Sequence, residues 1–561
     1  MKHIKNLLII LALVLFLAGC GQSGNNPANS GNTGPTAVPS VSNEDGAAVS
    51  PTADEDAALS ATAGGDDAAA SPMAGEETAS VMTDEAADPE EAADINYDPD
   101  FMQVFEAEEA AFTGNIKIES VKQGFTGTGY LTGMQAEADT VTFTVTVPGT
   151  GMYDLNFVSA GNVGHKENNV LVDGVNVGLS IVEGNDFADA ILKRVYLTAG
   201  EHQIAMTKSW GWILLDSLVI TASEPADKTI YEVKPDLADP DATDRAKRLY
   251  QYLKDMYGRY IISGQYGDMG IAGPEFAVIK KETGKYPAIL GLDFIEYTPS
   301  RVANGSSGLD VLYAQKFDQE GGIVTFCWHW NAPEKYLVNT SDNPWWRGFY
   351  TDAATIDLKK IMDGGDQEGY DLLLRDIDAI AEQLKVLQKA DIPILWRPLH
   401  EASGGWFWWG ASGPEAYISL YRLLYDRLVN YHGIHNLIWV WNGQNKDWYP
   451  GDEYVDIVGT DIYPGEKVYN SQSGKFNELA DWNGASRKII ALSENGCLFD
   501  PELAVRDNAM WSYFATWEGE FVLKNGAYSE QYTQLDMLKK VYASDKVITL
   551  DELPDLKTYG N

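Results

Sequence analysis

Two glutamates stand where side chains could cut a bond. Glu401 lies in the stretch 394–410, ILWRPLHEASGGWFWWG, after an apolar run and just before Trp406, Phe407, Trp408 and Trp409. Residues 392–399 have the apolar content of a buried strand, and Pro398 marks where it bends or ends, so Glu401 is predicted at a strand terminus. An aromatic wall disfavours the charged form of a nearby carboxyl, and a glutamate kept protonated near neutrality can serve as a general acid. Flat indole faces are also surfaces on which sugar rings stack. Glu494 lies in 487–496, RKIIALSENG, where a second apolar run, 489–492, is ended by Ser493, Glu494 and an Asn495-Gly496 turn. Hydrolysis of a glycosidic bond uses two carboxylates flanking the scissile bond. An acid in an aromatic wall, a stacking platform and a second strand-end glutamate together imply a carbohydrate-cleaving enzyme.

Rigid elements must bring the two glutamates face to face. From residue 243 onward apolar strands alternate with helix-period stretches, the pattern of βα units around a parallel sheet. Strands are predicted at 260–264, 288–293, 322–329, 392–401, 437–441, 457–463, 489–494 and 510–517. Helices are predicted at 309–320, 370–389, 414–431 and, after the last strand, 530–542. Eight such strands predict a (β/α)8 TIM barrel over 243–561, with its active site at the C-terminal ends of the strands. Glu401 then ends the fourth strand and Glu494 the seventh.

Arg397-Pro-Leu-His-Glu401 with Gly405-Trp-Phe-Trp-Trp409, Trp328-His329-Trp330, Asp461-Ile-Tyr463-Pro464 and Ser493-Glu494-Asn495-Gly496 together resemble glycoside hydrolase family 26, chiefly endo-β-1,4-mannanases, over about 260–517. Carried onto these positions, the resemblance implies that Glu401 is the acid/base and Glu494 the nucleophile of a retaining double displacement. Retention requires the two carboxyl groups to be about 5–5.5 Å apart. Physical chemistry assigns the roles the same way. Glu401 in its tryptophan-rich wall is the more protonated, and Glu494 is held ionised by cationic Arg397 and a hydroxyl from Tyr463. The resemblance also implies that His329 and His400 position the sugar and its 2-hydroxyl where cleavage begins, and that Trp406 and Trp517 stack beside that subsite.

Trp346, in 343–347, and the strand residues Trp439 and Trp441 are further aromatic candidates for subsites. The two strand tryptophans point the same way, to core or to cleft. No phosphate loop, nucleotide fingerprint or zinc-ligand spacing is present, so no catalytic cofactor is implied. The implied substrates are mannan, glucomannan or galactomannan, cut at internal β-1,4 bonds. The alternative is another β-glycanase of the same family, acting on mixed-linkage β-glucan or β-1,3-xylan, because the choice rests on a few contacts to one hydroxyl. A lipoprotein that binds sugars without cutting them is the remaining reading, but paired strand-end glutamates have no evident purpose there.

Upstream, 97–223 reads as a β-sandwich, jelly-roll-like, with alternating strands at 141–147, 151–159, 169–172, 194–197, 202–207 and 213–220. Its pieces Glu106-Ala107-Glu108, 124–130 (GFTGTGY) and 210–216 (WGWILLD) resemble carbohydrate-binding modules of family 35. That resemblance implies a structural calcium held by Glu106, Glu108 and Asp216, oxygen ligands that suit a hard cation. Trp210 and Trp212 are the candidates for stacking on sugar, and Leu214 stands where many relatives carry a sugar-contacting asparagine.

The chain opens with two lysines, an apolar run at 7–17 and LAGC, which resembles a bacterial lipobox. Residues 1–20 are therefore expected to be a secretory signal, with Cys20 lipidated and the protein held at the outer face of the bacterial membrane. Residues 21–96, rich in Ala, Gly, Ser, Thr, Pro and acid, cannot bury enough surface to fold and are expected to form a disordered tether. A formal charge of −41 argues against nucleic acid as partner and is compatible with a neutral polymer. Of three cysteines, Cys327 and Cys497 fall on or after buried strands and are expected to be free core thiols. Residues 224–242 are a short linker, and by analogy with other barrel enzymes that cut polymers the protein is expected to be a monomer.

Overall fold

The computed structural model describes residues 98–560 apart from 137, 162–165, 183, 210–211, 234–235, 268 and 485. The expected leader, Cys20 and the tether 21–96 lie outside the described residues, as does Trp210. Among the described residues no helix is long and apolar enough to cross a membrane.

The first domain is two antiparallel sheets face to face, one of six strands and one of five. Strict alternation makes the sandwich. In Thr140–Val147, TVTFTVTV, every second residue from Val141 to Val147 is buried, and the strand pairs with Gly200–Lys208 so that Phe143 lies opposite Ile204. Several strands went unpredicted, among them Lys117–Glu119 and Val175–Val182. Val175–Val182 is an edge strand carrying Gly178, and its pairing with Lys166–Val172 slips between Val170 and Leu171, so its apolar period is broken.

The second domain is a closed barrel of eight parallel strands. They are Gly264–Tyr266, Ile289–Asp293, Ile323–Trp328, Ile394–Pro398, Leu437–Trp441, Ile457–Ile462, Ile489–Asn495 and Phe514–Thr516. Seven overlap their predicted positions closely. The first does not: Ile261 and Ile262, the apolar part of the predicted strand, pair with Val547 and Ile548 outside the barrel, and the ring is closed by Gly264–Tyr266. The outer layer includes Gln367–Lys389, capped by the Asp366 side chain on Gly369 N, which turns Leu373, Ile377, Ile380, Leu384 and Leu387 inward at the period of a buried stripe. The predicted helix 414–431 is α-helical over Pro414–Tyr425 and continues as a π-helical turn over Asp426–Tyr431. Between the fifth and sixth strands only two 3₁₀ turns, Lys446–Trp448 and Asp452–Tyr454, stand in place of a helix.

The linker is docked rather than free. Tyr231 packs its ring at 4.9 Å from that of Tyr257, its hydroxyl donates to Asn508 O at 2.8 Å, and it accepts from Met510 N. Trp439 and Trp441 are both fully buried, packed against Tyr425 and Tyr449. They are core, and the cleft alternative for them falls away.

Candidate active site

The fourth and seventh strands do deliver two carboxylates to one place. An oxygen of Glu401, one of Glu494 and one of Asp461 all lie within 4.8 Å of one another. That closeness fits the spacing of about 5–5.5 Å for a retaining pair better than the wider gap of about 6.5–9.5 Å that an inverting pair needs for its water.

Backbone geometry places Glu401. The chain leaves the fourth strand through two non-glycine residues in the left-handed region, Leu399 and Glu401, both at φ 54°. Such a conformation costs free energy and persists only where neighbours hold it. Here Glu401 N donates to Asn442 O at 2.7 Å. The loop then folds back so tightly that a Cβ on Gly410 would stand 1.9 Å from Ala402 O, which only glycine permits.

The aromatic cluster that follows is mostly scaffold. Trp408 and Trp409 are buried and spend their indole N–H groups on backbone carbonyls, Trp408 on Trp330 O at 2.6 Å and Trp409 on His400 O at 2.8 Å. Phe407 is buried and stacks on Trp409. Trp406 alone of the four is half-buried and reaches the acid, donating Nε1–H to Glu401 Oε2 at 2.9 Å. Burial holds the Glu401 carboxyl well above the usual range, helped by the charges of Asp461 and Glu494, while Arg397 and the Trp406 hydrogen bond pull it down. Desolvation is thus the main cause of the raised pKa, as expected of an apolar wall, while the hydrogen bond from Trp406 pulls the other way.

Glu494 has a different surrounding. Its Oε2 accepts from Arg397 and its Oε1 from the Tyr463 hydroxyl, both as expected. Arg397 is fully buried and divides its donors among Glu494, Asp461 Oδ2 at 2.7 Å and the Tyr266 hydroxyl at 3.2 Å. Asp461 also accepts from Asn442 Nδ2 at 2.5 Å and Ser493 Oγ at 3.0 Å. Burial pushes it up to about 7 against the pull of Arg397. A register shift between Thr460 and Asp461 turns Asp461 to stand opposite Glu494, the re-aiming of a side chain that bulges beside active sites commonly provide. Asp461, Tyr266 and Asn442 were not assigned roles from the sequence. Asp461 sat in a quoted strand-end motif, but its three partners lie on or just after three different strands.

His329 and His400 meet through their Nε2 atoms at 3.2 Å. Trp517 is half-buried, its ring 4.8 Å from that of Tyr266 and 5.8 Å from that of His329. Trp346 lies half-buried on the 3₁₀ turn Trp345–Arg347, its carbonyl accepting from Arg301 at 2.8 Å. The loop carrying it is laced to the acid's loop by Thr351 N on Trp406 O at 2.8 Å and Trp408 N on Phe349 O at 3.1 Å.

In the sandwich, the turn 126–129 gathers the three expected ligands. Thr126 Oγ1, with one proton to share, stands 2.8 Å from Glu106 Oε2 and 3.0 Å from Asp216 Oδ2, and Thr128 N donates to Glu108 Oε1 at 2.5 Å. A Cβ on Gly127 would stand 2.4 Å from Glu108 Oε1 and 3.0 Å from Glu106 Oε2, so the turn rides directly over these two carboxylates. Glu108 Oε2 is buried without a hydrogen-bond partner. The three carboxylates do not themselves close to 4.8 Å; among the described residues the groups that do are the Glu401 trio and Asp293, Cys327 and His329. Trp212 is exposed, and Leu214 is half-buried beside it in sequence. Cys327 and Cys497 are buried free thiols, as expected.

The chain's similarities agree with this geometry. The sequence profile of glycosyl hydrolase family 26 matches residues 238–552, and that of carbohydrate binding module family 35 matches 103–223. A mannan endo-1,4-β-mannosidase of Thermothelomyces thermophilus is 42% identical over 80% of this chain and 90% of its own length. Mannan endo-1,4-β-mannosidase B of a Piromyces species is 38% identical over 80% of this chain and 77% of its own. Among solved structures, a Podospora anserina β-(1,4)-mannanase with both domains is 40% identical and superposes with a TM-score of 0.58, covering 82% of this chain and 99% of that one. With an eight-stranded barrel carrying paired carboxylates behind a two-sheet module, the chain belongs to glycosyl hydrolase family 26 and carries an N-terminal carbohydrate-binding module of family 35.

Proposed function

We propose that this protein is a retaining, endo-acting β-mannanase that hydrolyses internal β-1,4-mannosidic bonds of mannan, glucomannan or galactomannan. The observation that carries the reading is the approach of Glu401 and Glu494 to within 4.8 Å in unlike surroundings. In the first step the Glu494 carboxylate attacks the anomeric carbon. The bond from that carbon to the leaving sugar's oxygen breaks, and the oxygen keeps the electron pair and takes the Glu401 proton. In the second step Glu401, now a carboxylate, removes a proton from water. The water oxygen attacks the same carbon and frees Glu494, so two inversions give retention. Arg397 and Tyr463 serve the nucleophile by holding its two oxygens in one orientation, which limits the motion needed to reach the transition state. Support for the mannan substrate comes from the relatives named mannan endo-1,4-β-mannosidase.

The test is reducing-sugar release from galactomannan, mixed-linkage β-glucan and β-1,3-xylan, with the product anomer read by proton NMR. Galactomannan cleavage with retention, lost in Glu401→Ala and Glu494→Ala, is the expected result. Cleavage of β-glucan or xylan with none of mannan overturns the substrate, and binding without any cleavage overturns the enzyme.

The module is read as a sugar-binding domain using Trp210 and Trp212, steadied by calcium. The buried, partnerless Glu108 oxygen and the glycine turn over Glu106 and Glu108 support a cation there, which these two residues and Asp216 would hold. Its chemistry would be structural: charge compensation that locks the turn 126–129. Chelation with EDTA lowers the module's melting temperature if this is right and leaves it unchanged if not. Lipidation at Cys20 would hold the enzyme at the outer face of the bacterial membrane. Cys20→Ala releasing the protein into the medium is the expected outcome, and membrane retention of that variant counts against it.

A further inference from the structure

Asp293 ends the second barrel strand, reaches none of the three clustered carboxylates, and yet faces both histidines of the site through one of them. Its Oδ1 accepts two backbone amides, His329 N at 3.0 Å and Ile295 N at 2.9 Å. Its Oδ2 stands 2.5 Å from His329 Nδ1. On the far side of that ring, His329 Nε2 meets His400 Nε2 at 3.2 Å. His400 is buried, and its Nδ1 is buried with no hydrogen-bond partner.

These contacts leave little freedom in where the protons sit. Burial pushes the Asp293 carboxyl up, but the His329 ring and the backbone amides outweigh it, so it stays below the usual range and ionised. An ionised carboxylate can only accept, so His329 Nδ1 carries a proton. The short gap between the Nε2 atoms then needs one proton, on either ring. Burial holds the His400 imidazole well below its ordinary range, with the Arg397 charge adding to the effect, so it is neutral and carries a single proton. If that proton were on Nδ1 it would be a buried N–H with no acceptor, the costlier kind of orphan. On Nε2 it completes the gap and leaves Nδ1 with an unused lone pair. Aromatic rings hold both imidazoles in place: Phe349 and Phe407 lie 5.1 and 5.4 Å from His329, and Phe407 lies 5.2 Å from His400.

We propose that Asp293 is a positioning residue that fixes the tautomers of two sugar-site histidines, so that His329 Nε2 accepts and His400 Nε2 donates along a one-way relay. It acts through His329 and touches no substrate atom. The functional consequence rests on the reading above that these histidines line the sugar site; the proton arrangement does not.

Asparagine at 293 is the informative substitution. Its carbonyl oxygen can keep the two backbone amides, which puts the NH₂ against His329 Nδ1. That ring must then accept at Nδ1 and donate from Nε2, and His400 must accept at Nε2 and strand an N–H in the interior. A single isosteric change thus inverts the relay.

The experiment is two-bond ¹H–¹⁵N correlation NMR of the full chain labelled with ¹⁵N-histidine, assigned with His329→Gln and His400→Gln. In the wild type the expected pattern is a proton on Nδ1 of His329 and on Nε2 of His400. The reverse pattern at either ring overturns the proposal, whether or not any variant folds. In Asp293→Asn both patterns invert and kcat/KM on galactomannan falls by about 10- to 100-fold, the scale of a misplaced site group. A folded Asp293→Asn with wild-type tautomers and activity also overturns it, since a purely structural aspartate would be replaced silently. Because the wild-type spectrum needs no turnover, a relay with the expected protons in a protein that cleaves no mannan would sink the enzymatic reading and leave the relay standing.

Discussion

Replacing Arg397 with methionine strips the shared guanidinium from Asp461 and Glu494 while keeping an unbranched side chain in place. Arg397 and Asp461 have fully buried side chains, and that of Glu494 is 6% exposed. Removing one partner of a buried ion pair costs about 3–5 kcal/mol, because the other charge is left uncompensated. At about 2–4 °C per kcal/mol for a large domain, the melting temperature should fall by on the order of 10 °C at pH 8. The pH dependence has a definite sign. Asp461 titrates at about 7 in the folded protein, above the value of about 3.9 in an unfolded chain. A carboxyl raised in this way binds more protons folded than unfolded between those two values, so its contribution to stability falls as pH rises through that window. Arg397 pulls Asp461 down, and without it the folded pKa climbs and the window extends upward. The deficit of Arg397→Met is therefore smaller at pH 5, where Asp461 is protonated in both proteins, than at pH 8. Scanning calorimetry at the two pH values measures it, alongside kcat/KM at pH 7, which should drop by about 10²-fold or more as the site loses a preorganised charge. An equal depression at both pH values, or none at pH 8, would refute the view that Arg397 balances this buried pair.

Trp406→Phe removes a hydrogen bond that lowers the Glu401 pKa, so the alkaline limb of kcat/KM on galactomannan should move to higher pH, not lower; a shift to lower pH would mean the indole acts as an apolar wall instead. Trp396 is fully buried and packs edge-on against Phe294 at 5.6 Å, so Trp396→Ala should lose about 3–5 kcal/mol in urea unfolding. Cys327 and Cys497 are buried, and burial pushes both thiols up. Neither should be alkylated by iodoacetamide at pH 7.5 until denaturant is added, as peptide mapping would show.

How much of this could be read without coordinates depends on how local each signal is. Glu401 and Glu494 were legible because a strand-end carboxylate is announced by its own neighbours: an apolar run before it and a turn after it. The barrel was legible for the same reason wherever a run of apolar residues formed a strand. It was misplaced at the first strand because Ile261 and Ile262 are the apolar residues there, whereas the barrel uses Gly264, Gln265 and Tyr266. Gln265 is a buried polar residue whose amide is satisfied by Tyr266 O and Trp517 O, and no hydropathy pattern predicts a strand through it.

The tryptophans mark the boundary more sharply. Period-two spacing puts Trp439 and Trp441 on one face of a strand, but only the curvature of the closed barrel decides whether that face meets helices or cleft, and it meets Tyr425 and Tyr449. Likewise the run 406–409 reads as one aromatic wall, yet its members differ by where each indole N–H ends: on a carboxylate for Trp406, on loop carbonyls just past two strands for Trp408 and Trp409. Asp461 and Asp293 also close apolar strands, but the work of each was illegible because its partners are distant in sequence. Asp461 is given meaning by Arg397, Asn442 and Ser493, on or just after three other strands, and Asp293 by a ring just past the next strand that in turn faces a ring just past the one after. Groups that act on the bond sit at strand ends with local signatures. Those that tune such groups are found across the barrel, by their distances to residues of other strands.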